Sequence, residues 1–101
     1  MQTKYEIRDS QLTVWVPNEL DHHYADILRT EVEMLIQVYR VRKLVFDFQE
    51  TDFMDSSGIG VLIGRSRNLG YNNGLVYARN LNGRVWKIFQ ASGLEKIINV
   101  I

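Results

Sequence analysis

Lys43-Leu44-Val45-Phe46-Asp47-Phe48, followed after a short polar link by Phe53-Met54-Asp55-Ser56-Ser57-Gly58-Ile59-Gly60-Val61-Leu62, is the stretch that decides the fold. The first run is short, mostly apolar and rich in strand formers, the pattern of a central strand covered on both faces. Beyond the serine pair, Ile59, Leu62, Ile63, Ser66 and Leu69 recur at helical spacing, with Gly60, Val61, Gly64, Arg65 and Asn68 on the other face. A strand thus hands over to an amphipathic helix, and two hydroxyls stand at the helix mouth. The N–H groups of a first helical turn lack intrahelical partners and carry the positive end of the macrodipole, so this position can hold a phosphate. On spacing alone, ordinary N-capping, worth about 1 kcal/mol, is the better explanation of the serines.

Upstream, Tyr5–Arg8 and Leu12–Val16 alternate as strands around the turn residues Asp9-Ser10. Pro17-Asn18 stops the second strand. From about Tyr24, the residues Ile27, Leu28, Val32, Leu35, Ile36 and Tyr39 mark a first helix, with Asp21 ahead of it as a cap. Downstream, Gly70 and Asn72-Asn73-Gly74 end the serine-bearing helix, and Leu75–Ala78 forms another strand. Asn82 caps a short helix whose Val85, Trp86, Ile88 and Phe89 are expected to face inward; Gly93 ends it, and Ile97–Ile101 reads as a last strand. Trp15, Met34 and Met54 are expected to pack in or beside the core. The alternation after the opening hairpin predicts an α/β fold, with crossover helices on a mixed, mostly parallel sheet.

At 101 residues and 46% hydrophobic composition, one packed domain over residues 1–101 is expected. Twelve basic and twelve acidic residues cancel, which speaks against direct binding to nucleic acid or an anionic membrane. No cysteine is present, so disulfides and thiol chemistry are excluded. No apolar run nears the roughly 20 residues of a membrane span. The opening Met1-Gln2-Thr3-Lys4-Tyr5-Glu6 has no signal-peptide character, so a cytoplasmic location is expected. Asp21-His22-His23 is a poor metal site because adjacent histidines diverge and no third ligand stands at metal spacing. No cofactor is called for.

Phe53 to Arg65 resembles the signature of bacterial anti-sigma factor antagonists, the free-standing branch of the STAS (sulfate transporter and anti-sigma antagonist) domain family. Glu19-Leu20-Asp21-His22-His23 is similar to the antagonist of the sporulation anti-sigma kinase in particular. Ser92-Gly93-Leu94-Glu95-Lys96-Ile97-Ile98 resembles the family's closing turn. The resemblance implies a STAS fold, although relatives usually carry one further helix after the last strand. It implies that Ser56, directly after the aspartate, is the phosphoacceptor, that Ser57 is the better cap, and that no residue is catalytic. The implied partners are an anti-sigma factor with serine kinase activity and a serine phosphatase, the binding of the first freeing a sigma factor. Asp21, Asp55, Ser57, Gly58, Gly60, Val61, Gly64 and Arg65 are the residues expected to meet the kinase. Gly60 and Gly64 would keep an exposed helix face flat, and Arg65 and Arg67 would reach across.

Two other functions stay open on the residues. A small hydrolase, or a phosphate- or nucleotide-binding α/β domain, would use the same strand-to-helix junction. It would need a Gly-x-Ser-x-Gly elbow or a Gly-x4-Gly-Lys-Ser/Thr loop, and neither is present. A STAS module of a sensory or transport-associated assembly would share the fold.

Overall fold

The structure is a computed structural model that describes residues 3–71 and 74–101. A hairpin opens it: β1 (Lys4–Arg8) pairs antiparallel with β2 (Gln11–Trp15), and Asp9 supplies the turn at φ 55°, a conformation that aspartate tolerates. Then come β3 (Glu19–Leu20), α1 (His22–Val38), β4 (Lys43–Asp47), β5 (Phe53–Met54) and α2 (Ser56–Tyr71). The chain continues through β6 (Leu75–Arg79), α3 (Gly83–Ser92), a 3₁₀ turn (Leu94–Lys96) and β7 (Asn99–Val100). The main sheet runs β1-β2-β4-β6-β7, parallel except at the hairpin, and β3 and β5 form a separate two-stranded parallel pair. The predicted α/β order and mixed sheet are therefore present. No helix among the described residues is long and apolar enough to cross a membrane.

Alternation along the strands builds the core. Leu12 and Val14, Leu44 and Phe46, and Val76 and Ala78 share one face of the sheet. They are buried with Leu28, Val32 and Leu35 of α1, Leu62 and Leu69 of α2, and Val85 and Phe89 of α3. Phe48 continues this layer beyond β4, its ring edge-on to Phe89 at 5.3 Å.

Several local expectations need correcting. Helix α1 begins two residues early, at His22, because the Asp21 carboxylate accepts from Tyr24 N at 3.0 Å and caps it there. Its buried stripe, Ala25, Leu28, Val32 and Leu35, is narrow, which leaves Met34 54% exposed. Helix α2 runs through Gly70 to Tyr71; Asn72 and Asn73 lie outside the described residues, and Gly74 N bonds Leu69 O at 2.8 Å. Asn82 caps α3 and Gly93 ends it at φ 80°, but Trp86 points outward. The last strand shrinks to two residues because the chain first turns to bury Leu94 and Ile98.

Candidate functional site

The loop between β4 and β5 is fixed before it reaches the serines. Asp47, buried at the end of β4, accepts from Gln49 N at 2.8 Å, Arg79 Nε at 2.8 Å and Asn80 Nδ2 at 3.0 Å. Thr51 is fully buried, and its hydroxyl donates to Val16 O at 2.9 Å. Asn82 has two roles. Its Oδ1 accepts from Val85 N as the α3 cap, while its Nδ2 donates to Thr51 O at 3.0 Å and Asp52 Oδ1 at 3.2 Å. Asn18 Nδ2 reaches Asp52 Oδ2 from the opposite side at 3.3 Å. Satisfied hydrogen bonds of this kind rigidify a loop that would otherwise carry unpaired polar groups.

The pairing of β3 with β5 then brings two helix starts together. Glu19 lies opposite Phe53 and Leu20 opposite Met54. Asn18 O accepts from Asp52 N at 2.8 Å, and Leu20 O accepts from Asp55 N at 3.2 Å. The next residues along the two segments, Asp21 and Asp55, each open a helix. Asp55 Oδ1 accepts from Gly58 N at 3.0 Å, and Asp55 O accepts from Ile59 N at 3.0 Å. Asp55 is therefore the α2 cap, and the expectation that Ser57 plays that part is corrected: the helix starts two residues too early for it.

This leaves the serines as the first two helical residues. Ser56 is exposed, with no side-chain partner among the described residues, whereas Ser57 is half-buried with its Oγ 3.4 Å from His22 Nδ1. Gly58 is buried against β3. An added Cβ would stand 2.5 Å from Leu20 O and 2.7 Å from Leu20 Cγ, so only glycine fits. Gly60 and Gly64 differ from it: nothing lies within 4 Å of a Cβ built on either. They share the outward side of α2 with Ser56, Ile63 and Arg67, spaced as one helical row. Val61 packs half-buried against the core.

Arg65 is not on that side. It is 8% exposed and pairs through Nη1 with Glu33 of α1, so the expectation that it reaches a partner is corrected. Position 65 is three residues after buried Leu62 and four before buried Leu69, which turns it toward α1. The hydrogen bond from Arg65 first, and then its charge, hold the Glu33 carboxyl below its ordinary value, with a smaller contribution from Arg29.

Three features escaped the sequence reading: the His22–Ser57 contact, the half-open position of Ile63, and Phe53, which is 49% exposed beside the serine turn. Strand-like composition at Phe53 gave no sign that β5 is only two residues long with one side uncovered.

Residues 2–101 match the STAS domain family. The chain is 32% identical over 100 residues to the anti-sigma F factor antagonist of Paenibacillus polymyxa, an alignment that covers 99% of this chain and 86% of the relative. The fold superposes with a TM-score of 0.86 on the anti-sigma factor antagonist SpoIIAA in its unphosphorylated form, at 30% identity over 98% of this chain and 87% of that one. The Bacillus cell fate determinant SpoIIAA in the phosphorylated form gives 0.78 at 29% identity, over 98% and 90% of the two chains.

Proposed function

Because the chain belongs to the STAS domain family, we propose that it is an anti-sigma factor antagonist of the SpoIIAA kind, switched off by phosphorylation of Ser56. With Ser56 unmodified, it docks on an anti-sigma factor and frees a sigma factor. The same anti-sigma factor, acting as an ATP-dependent serine kinase, modifies Ser56 and is released, and a separate phosphatase resets the hydroxyl.

One observation carries this reading: Asp55 rather than a serine caps α2, so the exposed Ser56 hydroxyl has no structural duty. A residue in that position can be modified without cost to the fold. In the transfer, Ser56 Oγ forms a bond to the γ-phosphorus of ATP, the bond from phosphorus to the bridging oxygen breaks, ADP leaves, and the hydroxyl proton passes to a base of the kinase. The added charge of about −1.5 to −2 sits over the free donors of the first turn, so the domain tolerates it. A protein surface pressed against that turn does not, and it leaves by repulsion and by the cost of burying a solvated dianion. The docking surface is the outward row of Ser56, Gly60, Ile63 and Gly64, with Phe53 beside it as an apolar anchor. Asp21, Asp55 and Gly58 serve that surface by shaping it.

Incubation with the cognate anti-sigma factor and ATP, followed by tandem mass spectrometry, tests the switch. Ser56 should carry the phosphate, and Ser56→Ala should stay folded, bind the anti-sigma factor and resist modification. Wild-type stoichiometry of phosphate on Ser56→Ala would move the switch elsewhere.

A further inference from the structure

The joined first turns contain a contact that the capping scheme does not need. His22 Nδ1 and Ser57 Oγ share a hydrogen bond at 3.4 Å, although Asp21 and Asp55 already cap both helices and β3 and β5 already hold them together. The contact distinguishes two neighbouring hydroxyls of identical chemistry. Ser57 is half-buried with an imidazole in front of its oxygen; Ser56 is exposed and unengaged among the described residues. A serine becomes a phosphoacceptor by aligning Oγ in line with the γ-phosphorus and giving its proton to the kinase. Whichever tautomer His22 adopts, Ser57 has either its proton or a lone pair committed, and the ring must move before a nucleotide can approach. Ser56 faces neither obstacle.

We infer that His22 directs phosphorylation to Ser56 and away from Ser57. This rests on the reading of Ser56 as the acceptor and adds what selects it from the pair. His22 acts through Ser57, so it is a positioning residue, and it neither accepts nor donates a proton in the transfer to Ser56. Its own place is set by the fold: as the first residue of α1, it is held beside the second residue of α2 by the register of β3 on β5. The selectivity is therefore built from parts of the chain 35 residues apart.

The experiment measures where the phosphate sits. Wild type, His22→Ala and His22→Asn are each incubated with the cognate anti-sigma factor and ATP, and the Ser56 and Ser57 occupancies are read by tandem mass spectrometry. The Ser57 share should rise by about fivefold in His22→Ala, the ratio that a weak exposed hydrogen bond is worth. It should return toward wild type in His22→Asn, whose amide can engage Oγ again. In a Ser56→Ala background, adding His22→Ala should make Ser57 a measurable acceptor. An unchanged distribution in His22→Ala, with the double variant inert, overturns the assignment. So does a slower reaction still confined to Ser56, which would make His22 a contact of the kinase. A wild-type protein with no phosphate at Ser56 removes the parent reading first, so the two failures are read from different samples.

Discussion

The starts of α1 and α2 are two versions of one device. Each comes directly after a two-residue strand, each is capped by an aspartate that accepts from the N–H three residues on at 3.0 Å, and the strands pair so that the two starts lie side by side. They differ in the three residues after the aspartate. In α1 these are His22, His23 and Tyr24, and Tyr24 packs on the core. In α2 they are Ser56, Ser57 and Gly58, and at the third position there is no room for a side chain, because Leu20 of the neighbouring strand fills it. The first start is braced by its own side chains. The second is braced by the first, which leaves the surface around its small hydroxyl open.

Gly58→Ala should disturb this arrangement most. Alanine raises helix propensity by about 1 kcal/mol, but its methyl would meet the Leu20 carbonyl, a backbone atom that also accepts from Asp55. Overpacking of this kind costs about 1–3 kcal/mol, and here it also separates β3 from β5. A net loss near 2 kcal/mol would lower the melting temperature by roughly 10 °C in a domain of this size. An unchanged or higher melting temperature would mean that the two starts are not locked together as described.

Asp21→Ala and Asp55→Ala set the two starts against each other directly. Each removes one cap of the same geometry, so each should cost about 1 kcal/mol in chemical denaturation. Their effects on binding to the anti-sigma factor should part: Asp55→Ala frays the turn that carries Ser56, while Asp21→Ala reaches it only through β3. Equal stability losses with a larger affinity loss for Asp55→Ala are expected. Equal affinity losses would place both starts in the interface on the same footing.

Much of this was legible in the sequence, for identifiable reasons. Asp21, Asn82 and Gly93 announce helix boundaries through local chemistry, and the alternation in the three central strands fixes which face is buried. The pairing of β3 with β5 was not legible, since two-residue strands have no periodicity to detect. Gly58, Gly60 and Gly64 of α2 look alike in sequence, yet Gly58 is demanded by a backbone 2.5 Å away and Gly60 and Gly64 by nothing inside the chain. Arg65 looked exposed because it falls on the side of α2 away from the apolar stripe. Its burial depends on Glu33 of another helix, and pairings between helices are invisible to a reading that takes one helix at a time.

Gly60→Arg gives the smallest change in stability and isolates the outward row. With open space around position 60, arginine can adopt an ordinary helical rotamer, and its better propensity should raise stability by up to about 0.8 kcal/mol. Gly60→Ala should give a similar gain while adding only a methyl group. If the row from Ser56 through Ile63 is the docking surface, the two variants should separate in affinity. Arginine would hold the anti-sigma factor off the serine turn and weaken binding by tenfold or more, about 1.4 kcal/mol, whereas alanine would change it little. Melting temperature and affinity should be measured on the same samples. A fall in stability for either variant would show that Gly60 packs internally after all. Raised stability with full affinity in Gly60→Arg would move the docking surface off this row, and with it the explanation for why α2 keeps a glycine where the fold asks for none.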